Sequence, residues 1–343
     1  MSMVIAVNLE SLHRRLISGQ RRGPVDVVGR LTLAAAGQVY GLGVRMRNRQ
    51  FDLGRREIRR LPRPVVSIGN LVVGGSGKTP MVAWLAEQLQ AHGFRPAILM
   101  RGYRAVDGKN DEHRLLESLL GDDVPIMANP DRHTGGLAVL ESQNVDVFLL
   151  DDGFQHRRLH RDVDLALLDA TRPFGYDHLL PRGLLREPIE NIERADAVLI
   201  TRAEQVSAET ISSIQDRIRR ITDAPMHQVR FEAGPRLDGR DVAMFCALGN
   251  PEAFAATVLS LGGEIRRRIA FADHYHFTDG DIASAERVAA IIGGPIVTTA
   301  KDWVKLQGRT SPTVEWTVVK QQPAIDDAHG LIKGILSKIR SRG

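Results

Sequence analysis

A glycine-rich stretch near the start of the chain has the residue types that bind phosphate. The sequence SIGNLVVGGSGKTP (67–80) places a β-prone run before the glycines and a helix-forming run after them. The backbone N–H groups of such a loop converge on phosphate oxygens at the N-terminus of the following helix. The predicted nucleotide-binding residues are Gly74, Gly75, Ser76, Gly77, Lys78 and Thr79.

Two side chains of this loop have separate roles in a Walker A motif. Lys78 reaches the β- and γ-phosphates, and the hydroxyl of Thr79 is a ligand for Mg²⁺. The pattern GxxxxGK[ST] has a glycine six residues before the lysine, where this chain has Val72. A chance loop that contains GSGKT is the alternative, but the order of strand, loop and helix favours nucleotide binding.

A pair of carboxylates follows another apolar run, VDVFLLDD (145–152). Phosphate-transfer enzymes of this class hold the metal with a second carboxylate near the phosphates. Taken alone, two aspartates at a strand end are more typical of a turn or a helix cap. Downstream of a phosphate loop, we interpret Asp151 and Asp152 as part of a metal-binding and catalytic network.

The acceptor of the phosphoryl group is harder to identify from spacing. A kinase needs a base beside an acceptor hydroxyl, whereas a nucleotide hydrolase needs only a positioned water. The chain has no CxxC or HExxH motif, the patterns that are typical of zinc sites. Residue types alone therefore predict a phosphate-loop phosphotransferase or hydrolase, with these candidate bases: Asp111, Glu112, Asp122, Asp123, His156 and the DHYH run at 273–276.

Short β-prone runs alternate with helix-length segments from residue 65 onward, which predicts βα units and a parallel sheet with helices on both faces. Helices are expected at 80–92, 134–143, 251–262 and 279–292, and a basic surface helix at the C-terminal LIKGILSKIRSRG. The expected strands are 65–69, 96–100, 124–127, 145–151, 163–169, 195–200, 227–231, 242–249, 264–271, 295–299 and 314–319.

Length, charge and cysteine content set the broad class. The chain has 343 residues, enough for two domains, and its one cysteine excludes an intrachain disulfide and indicates a reducing compartment. Residues 1–64 contain thirteen arginines, no lysine and four acidic residues, so their net charge is +9, while the rest sums to −4. An anionic surface near the N-terminus is therefore a better expectation than a nucleic-acid groove along the whole protein.

The same N-terminal segment contains an uncharged stretch at 31–44, LTLAAAGQVYGLGV. Fourteen residues are too few to span a bilayer, which needs about 20. The stretch fits either a helix packed on the protein's own core or an interfacial helix with arginines near lipid phosphates. Composition alone leaves both interpretations open.

Several longer motifs occur in order between about residues 65 and 306. They are the SIGNLVVGGSGKTP loop, RGY (101–103), PDR (130–132), LLDDGFQHRRLHRDVDL (149–165), LPRGLLREP (180–188), ALGNPEAF (247–254) and FADHYHF (271–277). Together they resemble the tetraacyldisaccharide 4'-kinase family, the lipid A 4'-kinases, and the non-glycine at Val72 is itself similar to the family pattern.

The resemblance implies a kinase that transfers the γ-phosphate of ATP to the 4'-hydroxyl of a tetraacylated glucosamine disaccharide 1-phosphate. Its partners would be ATP with Mg²⁺, an anionic acylated lipid and the cytoplasmic face of the bacterial inner membrane, and no nucleic acid. The implied organisation is a helical membrane-associating segment at 1–60, a P-loop nucleotide-binding domain at 61–225, and a smaller α/β domain at 226–343 that contributes to the cleft.

The resemblance also assigns roles to residues. The family motif GDEP has its best counterpart in NDEH (110–113), so Asp111 is the expected base, paired with His274 of the DHY motif, and Glu112 joins the metal network. GDD at 121–123 is a rival, and TTEKD appears as TTAKD (298–302) without its glutamate.

Other expected roles concern the substrate and the basic loop. Arg101, Gly102 and Tyr103 are expected to bind the lipid. Arg182 and Arg186 suit either a phosphate or an ion pair with Glu187.

Two other classes of function compete with the kinase. A membrane-associated P-loop ATPase or GTPase switch would not phosphorylate lipid, although no NKxD-type guanine signature is evident. A nucleotide-binding adaptor without activity is disfavoured because Lys78, Thr79 and both aspartates are intact.

Overall fold

The computed structural model describes residues 13, 16–19, 23–102, 110–248, 251–272 and 275–342. The strands are β1 (Val65–Asn70), β2 (Pro96–Met100), β3 (Ile126–Ala128), β4 (Val147–Asp151), β5 (Val163–Asp169), β6 (Ala197–Thr201), β7 (Met226–Gly234), β8 (Asp241–Ala247), β9 (Glu264–Phe271), β10 (Ile296–Thr299) and β11 (Trp316–Ile325). The α-helices are α1 (Pro24–Asp52), α2 (Lys78–Ala91), α3 (Asp111–Leu120), α4 (Arg132–Ser142), α5 (Ala208–Arg219), α6 (Pro251–Ser260), α7 (Asp279–Ile292), α8 (Ala300–Leu306) and α9 (Ala328–Arg340).

The strands form one sheet in the order β3-β2-β4-β1-β5-β6-β7-β11-β10-β8-β9. Neighbours are parallel except for β7 and β11, which are antiparallel. Strands β1, β2, β4 and β6 are buried along their whole length, as expected for apolar strands covered by helices on both faces. The predicted fold class, a parallel α/β sheet flanked by helices with a long N-terminal helix, is confirmed.

Strand β1 lies at the centre of the sheet's first half, between β4 and β5. Ile68 of β1 is in register with Asp151 of β4. Because the strands are parallel, the loop that follows β1 and the aspartates that end β4 meet at the same edge of the sheet.

Strand β11 joins the two halves of the sheet. Its first residues pair with β10, and its residues 320–325 pair with β7. The predicted domain boundary at about residue 225 stays a prediction. Side chains from both sides of it pack together, since Phe231 of β7 and the helix α9 belong to the same apolar cluster as α2.

The predicted C-terminal helix is present as α9, and it packs on the core as well as lying at the surface. One of its faces is buried against the sheet, while its basic residues face outward. Amphipathic spacing of this kind is the usual pattern for a helix that packs on a core. The buried side chains are Leu331, Ile332, Ile335, Leu336 and Ile339.

Helix α1 contains the uncharged stretch at 31–44 and has two different apolar faces. One face is buried against the protein through Gly37, Gly41, Val44, Asn48 and Phe51. At 3.6 residues per turn, the opposite face carries exposed aliphatic side chains. These are Val25, Val28, Leu31, Val39, Leu42 and Met46, each at least 57% exposed.

By length and composition α1 could cross a membrane, since it has 29 residues and only 17% of its most apolar 18-residue window is buried. Packing on the protein's own core, one of the two interpretations left open by composition, holds for one side of the helix, and the interfacial interpretation stays a prediction. One side packs on the protein's own body, and the other side remains an exposed apolar surface.

Candidate active site

The glycine-rich loop connects β1 to α2 and is shaped by one glycine in particular. Gly77 caps the N-terminus of α2 with a φ of 82°, in the left-handed region. A Cβ at this position would lie 2.3 Å from the ring of Phe231 on β7. Both the backbone conformation and the close aromatic ring therefore require glycine, and the N–H groups at the start of α2 remain at the edge of the sheet.

Neighbouring elements hold the loop by hydrogen bonds. Asn70, at the end of β1, donates to the carbonyl of Val72 at 2.6 Å and to the hydroxyl of Ser76 at 2.9 Å. Thr201 of β6 donates to the Ser76 carbonyl at 3.0 Å, and Arg202 donates to the Gly75 carbonyl at 2.5 Å. The loop is thus fixed before any ligand binds, which lowers the entropic cost of binding phosphate.

Val72, the departure from the Walker pattern, has a structural partner. It forms an antiparallel bridge with Leu185, and the N–H of Val73 donates to the Leu184 carbonyl at 2.8 Å. The loop therefore starts as an extended segment against the 179–185 region, a conformation for which a β-branched residue is suited.

Lys78 lies between the loop and the second aspartate. Its Nζ donates to Oδ1 of Asn70 at 3.3 Å and is 3.5 Å from Oδ1 of Asp152. Arg186 donates to both carboxylate oxygens of Asp152, at 2.9 and 2.8 Å. Burial raises the pKa of Asp152, but Lys78 and Arg186 outweigh it, so the pKa lies below its ordinary value. Asp152 therefore carries a negative charge that orients two cations.

Asp151 has a different environment from its neighbour. It is 4% exposed, and burial together with the nearby Glu112 carboxylate raises its pKa to about 7, although Lys78 opposes the shift. Its Oδ1 is buried and has no hydrogen-bond partner among the described residues. A buried carboxylate oxygen of this kind fits a ligand for a hard cation such as Mg²⁺.

The described part of the chain contains no cluster of three His, Cys, Asp or Glu side chains arranged for a metal. This donor set suits Mg²⁺, which is bound through one or two carboxylates, substrate phosphates and water rather than by a cage of protein ligands. Thr79 is the first residue after Lys78 in α2, where its hydroxyl can complete the set.

Asp111 and Glu112 form the first turn of α3, which is capped by the side chain of Asn110. Their negative charges suit the positive end of the helix. Helix α3 packs against α2, which follows the phosphate loop, and Glu112 is one of the charges that raise the pKa of Asp151. The rival acids Asp122 and Asp123 are exposed at the far end of α3, about 15 Å along a helix of this length.

Asp111 pairs with a lysine that the sequence did not single out. Nζ of Lys305, on α8, is 3.1 Å from Oδ2 of Asp111 and 3.5 Å from Oδ1 of Asp302. His274, the predicted partner, lies outside the described residues, so that pairing stays a prediction.

The predicted lipid-binding motif follows β2. Arg101 and Gly102 lie at the same edge of the sheet as the phosphate loop, whereas Tyr103 is outside the described residues. Arg132 of the PDR motif is buried, and burial and then the charge of Arg101 lower its pKa. Two cations near one another at this edge indicate a place for an anion.

The basic loop at 180–188 differs from the expected arrangement. Neither candidate arginine is paired with Glu187, since Arg186 binds Asp152 and Arg182 donates to the Ile17 carbonyl at 3.0 Å. The fully buried Glu187 instead pairs with Arg194 at 3.0 Å and accepts from Asn48 of α1 at 2.8 Å.

Helix α1 is attached to this loop at a second point. The hydroxyl of Tyr40 donates to the carbonyl of Arg186 at 2.8 Å. The same residue whose side chain orients Asp152 therefore has its backbone fixed by α1.

His156, another candidate base, is unsuited to hold a proton. Burial and the charges of Arg132 and Arg161 lower its pKa to about 4, so it is neutral at pH 7. The site residues that sequence reasoning missed are Asn70, Gln155, Thr201, Arg202 and Lys305. Asn70, within the SIGNLVVGGSGKTP loop, and Gln155, within the LLDDGFQHRRLHRDVDL stretch, lay in motifs that the sequence had marked, whereas Thr201, Arg202 and Lys305 did not.

Comparison with known proteins gives a consistent result. The model of the tetraacyldisaccharide-1-P 4'-kinase family matches residues 29–340. The chain is 37% identical to the tetraacyldisaccharide 4'-kinase of Geobacter sulfurreducens over 336 residues, covering 90% of this chain and 94% of that protein. It is 38% identical to the enzyme of that name from Syntrophus aciditrophicus over 305 residues, covering 78% and 82%.

A solved structure is similar over nearly the whole chain. It is the crystal structure of LpxK from Aquifex aeolicus in complex with ATP, with a TM-score of 0.74 and 32% sequence identity. The match covers 90% of this chain and 99% of that one.

Proposed function

Because this chain belongs to the tetraacyldisaccharide-1-phosphate 4'-kinase family, we propose that it transfers the γ-phosphate of ATP to the 4'-hydroxyl of a tetraacylated disaccharide 1-phosphate in lipid A biosynthesis. The observation that carries the proposal is that α3, which begins with Asp111 and Glu112, packs against α2, the helix that follows the phosphate loop. The Glu112 carboxylate also contributes to the raised pKa of Asp151, which agrees with this packing. A kinase needs a base beside the acceptor hydroxyl, and Asp111 supplies a carboxylate for that role.

In the proposed reaction, the residues of the loop hold the triphosphate. Backbone N–H groups of Gly74, Gly75 and Gly77 and the ammonium of Lys78 bind its oxygens. The 4'-oxygen of the acceptor attacks the γ-phosphorus while the bond to the β–γ bridging oxygen breaks, releasing ADP. Asp111 takes the proton of the attacking hydroxyl. Arg101 and Arg132 lie where the anionic acceptor would enter.

Mg²⁺ would be held by Thr79 and Asp151, with Glu112 nearby. We assign Asp151 rather than Asp152 as the direct ligand because both oxygens of Asp152 already accept from Arg186. When bound, the ion neutralises charge on the phosphates. Asp152 keeps Lys78 and Arg186 directed at the loop.

The test of this function is mass spectrometry of a tetraacyl disaccharide 1-phosphate incubated with Mg-ATP and enzyme in detergent micelles. The wild type should add one phosphate at the 4' position. Asp111→Ala should lower turnover by roughly 10²- to 10⁴-fold, the range for a general base. The matched control is Asp122→Ala on the exposed turn, which should leave turnover unchanged. Consumption of ATP without lipid modification would favour the hydrolase switch instead.

We also propose that the protein lies on the cytoplasmic face of the inner membrane, and the exposed face of α1 supports this. Exposed aliphatic side chains on this face, with the arginines of the N-terminal segment, suit insertion among lipids with anionic head groups. The opposite face is held by the buried Asn48–Glu187 contact, so α1 would lie on the bilayer rather than cross it. An acylated anionic acceptor, not a nucleic acid, is the matching partner.

Changing the exposed face should separate membrane binding from folding. The triple change Val39→Ser, Leu42→Ser and Met46→Ser should weaken sedimentation with phosphatidylglycerol–phosphatidylethanolamine vesicles at least roughly tenfold, because burying each aliphatic side chain contributes about 1.5–3 kcal/mol. Ile291→Ser on α7, where the side chain is 86% exposed, is the matched control. Unchanged binding of the triple variant would place the membrane contact elsewhere.

A further inference from the structure

A buried lysine lies between two carboxylates on the acceptor side of the cleft. The side chain of Lys305 is 7% exposed, with Nζ 3.1 Å from Asp111 and 3.5 Å from Asp302. The ring of Phe277 is 5.6 Å from the ammonium. Burying an ammonium is unfavourable unless it is paired, and here two carboxylates and an aromatic face provide the pairing.

Asp302 is fixed more firmly than Asp111. It is fully buried, and its Oδ2 accepts from the backbone N–H of Ala247 at 3.0 Å and from the hydroxyl of Thr299 at 2.9 Å. These bonds attach Asp302 to the ends of β8 and β10. Asp302, fixed to the sheet, therefore restrains Lys305 through one ion pair, and Lys305 restrains Asp111 through another.

The two ends of this bridge belong to different parts of the fold. Asp111 begins α3, which packs against α2 of the phosphate-loop half, while Lys305 is on α8 between β10 and β11. Asp111 is 21% exposed, so its carboxylate reaches the cleft, whereas Lys305 and Asp302 are almost wholly buried behind it. The lysine is therefore placed to fix the acid without contacting a substrate itself.

We propose that Lys305 is a positioning residue for phosphoryl transfer: its ammonium holds the Asp111 carboxylate in the orientation from which it takes the proton of the acceptor hydroxyl. This inference rests on the proposed function, since orientation of Asp111 matters only if it is the base. Misplacing a reacting group by about 1 Å can lower a rate by roughly 10²-fold, so loss of the ammonium should be visible in kcat.

The first test compares Lys305→Met, which keeps the length of the side chain, with Lys305→Arg, which keeps the charge. In the lipid phosphorylation assay, Lys305→Met should lower kcat roughly 10- to 100-fold, with KM for ATP within about twofold of the wild type, since no phosphate contact is lost. Lys305→Arg should recover part of kcat. Lys333→Met, on the exposed face of α9, controls for loss of a lysine and should have wild-type kinetics. An unchanged kcat for Lys305→Met would overturn the proposal.

The second test is a double-mutant cycle with Asp111→Asn. If Lys305 acts through Asp111, Lys305→Met should lower turnover little further when Asp111 is already replaced. Fully multiplicative effects would overturn the positioning role. Full activity of Asp111→Asn alone would instead refute the proposed base, so the two failures are distinguishable. If thermal unfolding shows that Lys305→Met does not fold, the same cycle is run with Lys305→Arg.

Discussion

The phosphate side and the acceptor side of the cleft are built in different ways. The phosphate side uses residues 70–79 and 151–155, which end two adjacent parallel strands and are held by hydrogen bonds from the sheet interior. The acceptor side joins Asp111 of α3 to Lys305 and Asp302 of α8, residues about 190 positions apart. The proposed phosphate site is therefore held by local contacts, whereas the position of the proposed base, Asp111, depends on a long-range contact.

The attachment of α1 adds to this difference. Tyr40 and Asn48 bind the backbone of Arg186 and the side chain of Glu187, and Arg186 orients Asp152. Among the described residues, these contacts attach the helix with the exposed apolar face to the phosphate side. With α1 on the bilayer as proposed, these contacts would hold the phosphate loop at a fixed position relative to the membrane surface.

The comparison is sharpest for the two lysines. Lys78→Ala should lower phosphoryl transfer by roughly 10³-fold or more, because a cation that neutralises developing phosphate charge is lost. Lys305→Met should have a smaller effect, since Lys305 acts only through Asp111. Steady-state assays of both variants, with Lys333→Ala as control, provide the measurement. Retained activity of Lys78→Ala would contradict the assignment of the phosphate loop. A larger loss of turnover in Lys305→Met than in Lys78→Ala would contradict the indirect role of Lys305.

Asn48→Ala tests how firmly α1 is attached. It removes a hydrogen bond to the fully buried Glu187 carboxylate and should lower the free energy of unfolding by about 1.5–3 kcal/mol, the range for bonds to a charged group. Thr32→Ala, at an exposed position of the same helix, should change it by less than about 0.5 kcal/mol. Denaturant unfolding monitored by circular dichroism gives both values, and equal stability of the two variants would mean that α1 is only loosely attached.

Asp151→Asn tests the buried carboxylate in the absence of ligand. Burial raises the pKa of Asp151 from 3.8 to about 7 in the folded state. The stability from a protonated, buried Asp151 is complete below 3.8, falls as pH rises from there towards 7, and is absent above 7.

The neutral amide should therefore make the variant more stable than the wild type at pH 8, by about 1–3 kcal/mol, with a smaller difference at pH 5. Asp123→Asn, at an exposed position, should show no such pH dependence. Denaturant unfolding at the two pH values is the measurement, and a difference independent of pH would contradict the raised pKa. Turnover should fall in the same variant, because the proposed metal ligand is lost.

Several features were predictable because each depends on neighbours in sequence. Short β-prone runs predicted strands such as β2, β5 and β9 with their observed bounds. The positions of the phosphate loop and of the Asp151–Asp152 pair followed from the same patterns. The partners of Arg186 and Glu187 could not be predicted in this way. Adjacent residues of opposite charge suggested a local ion pair, whereas in the fold Arg186 pairs with Asp152 and Glu187 with Arg194.

The sequence by itself determined the class of fold, the phosphate loop and the family, since hydrophobic period and motif order are properties of the chain alone. Only the tertiary structure decided that α1 has one buried and one exposed face, that α9 packs in the same apolar cluster as α2, and that Lys305 pairs with Asp111. The physical reason is that these contacts join residues far apart in sequence. Their energies come from desolvation and charge pairing, which exist only after the sheet has brought the elements together.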